Sequence, residues 1–549
     1  MNVAQTVAET LGRLGAPHVF GLLGSGNFEV SNGLVAGGAT FVAARHECAA
    51  VTMADAYARV TGRVGICTVH QGPGLTNSLT GLTEAAKGRT PLLLLAADTA
   101  ASAIRSNFRI DQDGLVRSVG AVPEHVYSPE SAVADTVRAY TRAQVERRPV
   151  VLMMPLDIQA APGSELGDAL PLCPVIRPVR PSEEAVAEAA AVLAAAGHPV
   201  IIAGRGAVLA GAGEDLALIA DRVGALLATS AVANGLFAAH PWSLGISGGF
   251  ASPIAAELIA AADVVLTVGA SLNMWTTRHG QLIGPQATVI QVDHEAAAIG
   301  AHHRVDIAVV GDAGEASRAL LEQLGRGNVS LPGWRSPELA HRLQTERWQH
   351  CAYEDAGDSA HIDPRTLSIV LDRLLPEGRT VAIDSGHFMG YPAMYLRVPD
   401  AQGFVFTQAF QSVGLGLASA IGAAVARPDR LTIAALGDGG AMMALAELET
   451  VARLSLHMLI VIYNDSAYGA EVHHFGPQGA PLDLVRFAEV DFAALGRAVG
   501  LRGATVRRPS DLDDVRTWLA EGSTPAFVLD AKVVPTVVAA WLEEAFKGH

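Results

Sequence analysis

The fold is decided by residues 434–471, AALGDGGAMMALAELETVARLSLHMLIVIYNDSAYGAE. This stretch opens with the end of an apolar run typical of a strand and then turns through the glycines at 437–440. Apolar residues at helical spacing follow from about 442 to 454, and a second β-rich run covers 458–463. Strand, glycine turn, helix and strand together predict a βαβ crossover.

Two carboxylates follow the two predicted strands. Asp438 lies in the glycine turn, and Asp465 comes just after the second strand. Parallel neighbouring strands end at the same edge of a sheet, so we expect the two carboxylates to lie there together. A glycine turn before a helix presents N–H groups to an anion. Two carboxylates beside it fit a hard cation that bridges to phosphate oxygens. The alternative is an ordinary turn with solvated acids, since short glycine motifs are weak signals.

Composition narrows the class of protein. A chain of 549 residues suggests three domains of ordinary size. A net charge of −16 without a basic stripe argues against nucleic acid as a partner. Residues 1–20 predict an amphipathic helix and a strand rather than a signal peptide, and apolar stretches such as 412–426 are too short to span a membrane. The cysteines form no CxxC pair and predict reduced thiols in a cytoplasmic protein; they are Cys48, Cys67, Cys173 and Cys351.

Alternating strand and helix patterns divide the chain. Residues 1–160 predict one α/β domain with a doubly wound parallel sheet. A proline-rich linker covers 161–182, and a second α/β domain runs over 183–324. After a polar stretch, a third α/β domain covers 363–549. The first and third domains have similar layouts, as if one plan were used twice.

Several segments carry a resemblance to a known family. GDG at 437–439 is followed by Asn464-Asp465, where the family usually has Asn-Asn, and then by Tyr-Gly at 468–469. This pattern resembles the diphosphate-binding motif of thiamine-diphosphate (ThDP) enzymes. The other supporting segments are VFGLLGSGN (19–27), RHECAAVTMADAYARVTGRVG (45–65), QGPGLTN (71–77), PVVLMMPLDIQ (149–159) and QSVGLGLASAIGAAVARPDR (411–430).

Over nearly its whole length, the chain resembles ThDP enzymes of the 2-oxo-acid decarboxylase and acetolactate synthase group, in particular those like benzoylformate decarboxylase. The resemblance implies a pyrimidine-binding domain, a central domain and a diphosphate-binding domain, in that order. Each is expected to be an α/β domain with a doubly wound parallel sheet.

The resemblance places one half of a cofactor site in the third domain. Asp438, Asp465 and the carbonyl of Ala467 would hold Mg²⁺. Val413 would wedge under the bent cofactor, and the carbonyl of Gln411 would accept a hydrogen bond from its 4′-amino group. The residues implied to bind ThDP here are Ser385, Gly386, His387, Gln411, Val413, Gly437, Asp438, Gly439, Gly440, Ala441, Asp465, Ala467, Tyr468 and Gly469.

The other half of the implied site lies in the first domain. Glu47 matches the glutamate that bonds N1′ of the aminopyrimidine, and Ser25, Pro73 and Asn77 are also implied to contact the cofactor. The alternative for Glu47 is a solvated acid at a helix N-terminus. The family builds each site from two subunits, so the separation of Glu47 from Asp438 implies a homodimer or homotetramer with sites at the interface.

Two residues bear on the reaction. His70 precedes QGPG, where enzymes like benzoylformate decarboxylase carry a catalytic histidine, and Glu471 lies at the offset of the acid/base glutamate of pyruvate decarboxylases. Together with Glu47 they imply Mg²⁺-dependent decarboxylation of a 2-oxo acid, with aldehyde release or transfer of the acyl group to an aldehyde or keto acceptor. The alternatives are a loop histidine and an exposed helix acid. His473 and His474 lie nearby and receive no role.

Other functions are weighed against this one. An acetolactate-synthase-type carboligase acting on pyruvate would carry Gln and Lys where this chain has Phe108 and Ala121. The central segment 269–275 lacks that group's Arg-Phe-Asp-Asp-Arg run, which argues against bound FAD without excluding it. Gly204-Arg205-Gly206 predicts a packing turn. A third alternative is a non-catalytic subunit with the ThDP-enzyme fold, against which Glu47 and the GDGG segment argue. The sequence leaves open which 2-oxo acid is used.

Overall fold

A computed structural model describes residues 1–164, 166–167, 170, 176–325 and 333–545. Within these ranges Cys48, Cys67 and Cys351 are free thiols, as predicted, whereas Cys173 lies outside them. No helix in the described ranges is both long and apolar enough to cross a bilayer.

The first domain contains a sheet of six parallel strands in the order β2-β1-β3-β4-β6-β5. Its strands are β1 (His18–Gly21), β2 (Thr40–Ala43), β3 (Gly65–Val69), β4 (Leu92–Asp98), β5 (Val122–His125) and β6 (Pro149–Pro155). Its helices are α1 (Val3–Arg13), α2 (Phe28–Ala36), α3 (Glu47–Thr61), α4 (Pro73–Lys87), α5 (Gln112–Ser118), α6 (Ala132–Glu146) and α7 (Leu156–Ala160). Helix α1 begins where predicted because Asn2 and Gln5 cap each other's main-chain N–H groups.

The central sheet also has six parallel strands, in the order β12-β11-β10-β7-β8-β9. Its strands are β7 (Pro199–Ala203), β8 (Leu226–Thr229), β9 (Ser243–Ile246), β10 (Val264–Val268), β11 (Thr288–Asp293) and β12 (Ile307–Val310). Its helices are α8 (Glu183–Ala195), α9 (Arg205–Leu209), α10 (Gly213–Val223), α11 (Pro253–Ala260), α12 (Met274–Thr277) and α13 (Ala313–Gly325). A Cβ on Gly206 would lie 2.7 Å from the Cα of Gly269, which agrees with a packing turn. Helix α14 (Pro337–Thr345) leads to the third domain.

The third sheet repeats the strand order of the first, as β14-β13-β15-β16-β18-β17. Its strands are β13 (Arg379–Ile383), β14 (Phe404–Phe406), β15 (Leu431–Gly437), β16 (Met458–Asn464), β17 (Arg502–Val506) and β18 (Phe527–Lys532). Its helices are α15 (Pro364–Leu374), α16 (Gly390–Tyr395), α17 (Gly416–Ala426), α18 (Asp438–Met443), α19 (Glu447–Arg453), α20 (Gly469–Phe475), α21 (Phe492–Ala498), α22 (Asp513–Ala520) and α23 (Leu542–Ala545). All three sheets are parallel with helices between their strands, so the predicted α/β class is confirmed.

The βαβ crossover predicted from residues 434–471 is confirmed. Strands β15 and β16 pair in parallel with Gly437 opposite Tyr463, so Asp438 and Asp465 leave the sheet at the same edge. The connection differs from the prediction of one helix over 442–454. Helix α18 starts at Asp438, and a second helix, α19, starts at Glu447 after a short break.

The first and third domains pack together through helices α3 and α17. Small side chains let these helices approach closely. A Cβ on Gly422 would lie 2.2 Å from the carbonyl oxygen of Met53, so the two backbones touch there. Residues of both helices belong to one continuous buried core.

Candidate active site

A cavity of about 260 Å³ opens at the carboxyl edge of the third sheet. Every cofactor contact predicted in this domain lines it, except Ala441, and so does Glu471. The lining residues that were predicted are Ser385, Gly386, His387, Gln411, Val413, Gly437, Asp438, Gly439, Gly440, Asp465, Ala467, Tyr468, Gly469 and Glu471. Ligands commonly bind outside the carboxyl ends of parallel strands, which is where this cavity lies.

Asp438 and Asp465 form an acidic pair in the cavity wall. Asp438 is buried, and its Oδ1 accepts a hydrogen bond from the N–H of Gly439 at 2.8 Å. Its Oδ2 is buried without any hydrogen-bond partner. Asp465 Oδ1 accepts from the N–H of Ala467 at 3.2 Å. An orphaned carboxylate oxygen beside a second carboxylate fits a hard cation such as Mg²⁺.

The pKa values of these two carboxyl groups also indicate that a cation would stabilise the ionised pair. Burial raises the pKa of Asp438, against main-chain N–H donors that lower it. Burial raises the pKa of Asp465 as well, and the nearby charge of Asp438 raises it further. Two carboxylates that destabilise each other's charge are relieved by a divalent cation between them. No group of three or more His, Cys, Asp or Glu side chains with metal-binding geometry occurs among the described residues, so the remaining ligands here would be carbonyls, ligand oxygens or water.

The first turn of α18 forms the anion-binding side of the cavity. The helix begins at Asp438 after the N-cap Gly437, so the N–H groups of Gly439 and Gly440 lie in its first turn. First-turn N–H groups have no carbonyl partner within the helix and can bind a phosphate, and that of Gly439 here donates to Asp438 Oδ1. A Cβ on Gly440 would lie 2.1 Å from the carboxylate of Asp384, so glycine is required there.

Asp384 is a site residue that the sequence analysis missed. It directly follows β13 and precedes Ser385, and its side chain is buried. Its carboxylate accepts main-chain N–H bonds from Ser385, Gly414, Leu415 and Gly416 at 2.9–3.1 Å. Burial raises the pKa of this carboxyl to about 6, against those four donors. Asp384 therefore fixes the loop that carries Val413 over the cavity.

His387 is buried and is held by the C-terminal segment. Its Nε2 accepts the N–H of Ala539 at 2.8 Å, and its carbonyl accepts the indole N–H of Trp541 at 3.0 Å. Burial, followed by the neighbouring His473, lowers the pKa of His387 to about 3. A neutral imidazole that accepts through Nε2 carries its proton on Nδ1, so His387 can donate a hydrogen bond from Nδ1.

Part of the cavity wall was also missed, because it comes from distant parts of the chain. Trp275 belongs to the central domain, and its ring centroid lies 6.2 Å from that of Trp541. Trp541, Leu542 and Ala545 close the cavity from the C-terminus. The sequence left open whether the C-terminal segment covers the site. The structure places this segment on the cavity wall.

The residues predicted in the first domain lie apart from this cavity. Among the described residues, its lining includes none from 1–160. Glu47 is half-buried and accepts a hydrogen bond from the amide of Asn77 at 3.1 Å. Ser25, Pro73 and Asn77 are exposed. The structure thus brings Glu47 and Asn77 together, but it does not bring either to Asp438 within one chain.

His70 lies beside Ser25 and Phe108. Its Nδ1 is 3.0 Å from the carbonyl oxygen of Gln71, which can only accept, so Nδ1 carries the proton. Its Nε2 is then free to accept and lies 3.4 Å from the hydroxyl of Ser25. The ring of Phe108 packs 5.0 Å from the imidazole. This arrangement places the Nε2 of His70 beside Ser25 at the surface of the first domain.

Comparison with known proteins assigns the family. Three descriptions of thiamine pyrophosphate enzymes match the chain in order: the N-terminal TPP binding domain over 1–115, the central domain over 186–320 and the C-terminal TPP binding domain over 384–529. The chain belongs to the thiamine pyrophosphate enzyme family. The predicted family, three-domain α/β fold and enzyme class are confirmed.

Relatives of this ThDP enzyme differ in reaction. A probable 2-ketoarginine decarboxylase of Pseudomonas aeruginosa is 31% identical over 538 residues, covering 95% of this chain and 92% of that protein. Sulfoacetaldehyde acetyltransferase of Castellaniella defragrans is 28% identical over 540 residues, covering 93% and 89%. The large subunit of Escherichia coli acetolactate synthase isozyme 3 is 28% identical over 524 residues, covering 93% and 91%.

One solved structure shares the fold over its whole length. The ThDP-dependent 4-hydroxybenzoylformate decarboxylase of Rhodococcus jostii RHA1 has a TM-score of 0.82, with 97% of this chain and 99% of that chain covered. The two are 21% identical, so this likeness concerns the fold.

Proposed function

We propose that this protein decarboxylates a 2-oxo acid with ThDP and Mg²⁺, and releases the product as an aldehyde. The observation that carries the proposal is the acidic pair of Asp438 and Asp465, with the orphaned Oδ2 of Asp438 beside the first-turn N–H groups of α18. That combination suits a cation bridged to a diphosphate. When bound, ThDP supplies the electron sink for the breaking carbon–carboxylate bond.

The third domain would hold the cofactor by its diphosphate. Asp438, Asp465 and the carbonyl of Ala467 ligate Mg²⁺, and the first N–H groups of α18 bind diphosphate oxygens. His387 adds a hydrogen-bond donor through Nδ1, since its Nε2 is occupied by Ala539. Val413 supports the ring system from its fixed loop.

The first domain would supply the proton chemistry. Glu47 bonds the N1′ position of the aminopyrimidine, and Asn77 orients its carboxylate. His70 accepts or returns a proton through Nε2. Decarboxylation to an aldehyde takes up one proton for each CO₂ released, so a positioned acid is needed. Glu471 lines the cavity of the third domain and is the second candidate for this proton.

A complete site then requires a second copy of the chain. Glu47, Ser25 and His70 lie on the first domain away from the cavity that would hold the cofactor. Exposed apolar side chains on both domains suit a subunit interface: Leu23, Phe28 and Phe108 on the first, and Phe410, Met442 and Met443 on the third. We propose a homo-oligomer in which the first domain of one subunit faces the third domain of its partner.

Acetolactate-type carboligation is the second candidate, because several relatives carry that name, among them the Escherichia coli protein. Phe108 argues for aldehyde release instead. It packs against His70 and offers no polar group to a second keto acid. The apolar contact would keep a charged acceptor from this side of the site.

The deciding experiment measures CO₂ release from a panel of 2-oxo acids, with ThDP and Mg²⁺ present or omitted, and identifies the organic product. We expect CO₂ and aldehyde only when both are present. A hydroxyketone or acetohydroxy acid as the main product would replace aldehyde release by carboligation. Failure of the protein to bind ThDP would contradict the proposal as a whole.

A further inference from the structure

The first and third domains each bind main chain of the other through a buried glutamate. Glu84 of α4 is fully buried. Its Oε1 accepts the N–H of Ala409 at 3.0 Å, and its Oε2 accepts the N–H of Phe410 at 2.6 Å. These two N–H groups directly precede Gln411.

Glu447 of α19 makes the opposite contact. It is 2% exposed, and its Oε1 accepts the N–H groups of Arg45 at 2.9 Å and His46 at 3.1 Å. Its Oε2 accepts the hydroxyl of Thr450 at 2.7 Å. The two main-chain N–H groups directly precede Glu47.

The two contacts occupy equivalent places in two sheets of the same strand order. Helix α4 follows β3, and helices α18 and α19 follow β15. Strands β3 and β15 are each third in the strand order of their sheet. The main chain held by Glu84 follows β14, and the main chain held by Glu447 follows β2. Both strands lie at an edge of their sheets. Helices α3 and α17, which begin after these held segments, pack on each other. The same type of contact is therefore formed twice, by different sequences.

The main chain that Glu84 holds needs such support. Gln411 has φ of 61°, in the left-handed region that a residue with a side chain rarely occupies. Such a conformation persists only when surrounding contacts fix it. Hydrogen bonds from N–H groups to a carboxylate are among the stronger and more directional contacts in proteins.

Arg59 completes the contact around Glu84. Its guanidinium donates to Glu84 Oε1 at 3.0 Å and to Asp55 at 2.9 Å. It also donates to the carbonyl of Phe406 at 3.3 Å. The buried carboxylate is therefore paired, and the start of the same loop is held by the same cluster.

We propose that Glu84 and Glu447 are positioning residues for the aminopyrimidine of the cofactor. Glu84 sets the carbonyl of Gln411, and Glu447 sets the carboxylate of Glu47. This inference rests on the proposed function, in which those two groups bond opposite sides of that ring. Neither glutamate touches the cofactor.

The contacts predict an unequal response to the same substitution. Both oxygens of Glu84 accept N–H donors, so Glu84→Gln must turn an NH₂ group toward a donor and lose a bond. Glu447→Gln can keep its oxygen on Arg45 and His46, because its NH₂ group would face the hydroxyl of Thr450, which can rotate to accept. Glu447→Ala removes both acceptors.

The test is calorimetric titration of the apoprotein with Mg²⁺–ThDP and, separately, with Mg²⁺–inorganic diphosphate, which lacks the pyrimidine. We expect Glu84→Gln and Glu447→Ala to weaken ThDP binding roughly 10-fold or more while diphosphate binding stays within about 2-fold. Glu447→Gln should restore ThDP binding to within about 3-fold of the unsubstituted protein. The matched control is Glu449→Gln, which weakens the exposed ion pairs with Arg45 and Arg453 and leaves the contacts of Glu447 in place.

Several outcomes would overturn the inference. Unchanged ThDP affinity in Glu84→Gln would do so, and so would an equal loss of both ligands, which indicates a merely structural role. Equal effects of Glu447→Gln and Glu447→Ala on ThDP binding would show that Glu447 is not a positioning residue. If Glu84→Gln does not fold, Glu84→Asp, which keeps the charge but draws it back from Ala409 and Phe410, is measured with the same expectation. Failure of the unsubstituted protein to bind ThDP would instead contradict the proposed function.

Discussion

The first and third domains share one strand order and differ in what their strand ends enclose. In the third, loops after β13, β15 and β16 close around a cavity with a buried acidic pair. In the first, the loops that carry Ser25 and Pro73 stay exposed, and Glu47 is half-buried. The comparison teaches that one strand order can enclose a cavity, here called the container, or present exposed loops. These loops are called the covering surface, because the proposed function sets them over the cavity of a partner subunit. Four predictions test this division, from the largest expected effect to the smallest.

Glu47→Gln should abolish catalysis without abolishing cofactor binding. The amide cannot serve as the carboxylate partner of N1′, so turnover should fall about 10³-fold while Mg²⁺–ThDP still binds the third domain. Steady-state kinetics and calorimetric titration measure the two properties. Retention of full turnover would show that the first domain does not supply this group.

Mixing two inactive variants sharpens the result. Glu47→Gln subunits and Asp438→Ala subunits should form mixed dimers with one intact site, and recover up to roughly a quarter of the normal turnover after random exchange. No recovery, in oligomers shown to be mixed, would mean that each site lies within one chain.

Asp438→Ala should impair the container in the third domain and leave the covering surface of the first domain intact. Loss of one of two carboxylates should weaken Mg²⁺ binding about 100-fold or more. Asp465→Asn is the matched comparison, because it keeps an oxygen ligand and should bind Mg²⁺ far better than Asp438→Ala. Titration of Mg²⁺ against ThDP binding gives both values. Equal losses in the two variants would show that charge matters more than the number of ligands.

His70→Ala and Glu471→Gln test which domain supplies the proton after CO₂ loss. We expect kcat/KM to fall between about 10-fold and 100-fold for His70→Ala, because its Nε2 is the basic nitrogen of the covering surface. Glu471→Gln should cost less, since this exposed side chain lies on the container side. The reverse order would assign the proton step to the third domain.

The stability of the apoprotein should depend on pH through the acidic pair. Burial raises the pKa of Asp438 and Asp465 in the folded protein, so the folded state holds protons that the unfolded state releases. This contribution to stability is fully present below the unfolded pKa of about 4 and is lost as pH rises through the raised values. Thermal unfolding across pH 4–9 measures this change.

Two conditions should flatten that pH dependence. Saturating Mg²⁺ with ThDP should reduce it, because the cation favours the ionised pair. Asp465→Asn should reduce it as well, since it removes one of the two titrating groups. The buried His387, whose pKa is lowered, contributes in the opposite direction below about pH 6.5. The deciding comparison is therefore between the two proteins, and an equal pH dependence of the apoprotein and of Asp465→Asn would contradict the description of the pair.

The fold and half of the site could be predicted from the sequence, because local patterns determine them. Gly437 and Asp438 close an uninterrupted apolar strand, and the spacing to Asp465 is set by two short helices and one strand. Strand β5 escaped prediction because Val122–His125 is short and contains proline, which an edge strand tolerates. The single helix predicted over 442–454 is broken, since residues 444–446 leave the helix before α19 begins.

The rest of the site depends on contacts between distant parts of the chain. Trp275 and Trp541 line the cavity from the central domain and from the C-terminus, and no local pattern connects them with Asp438. Glu84 appears in the sequence as one polar residue of an amphipathic helix, and only the fold shows that it binds Ala409 and Phe410. Such residues are set by tertiary packing.

The contact between α3 and α17 limits how the cofactor is exchanged. Because the backbones touch at Gly422 and Met53, the two helices cannot slide past each other in small steps. If the site lies between subunits, as proposed, we expect ThDP to enter and leave by separation of subunits or by release of the segment that carries Trp541. We therefore expect exchange to be slow compared with turnover. In a cell whose vitamin supply fluctuates, the loaded enzyme would keep working long after free ThDP has fallen.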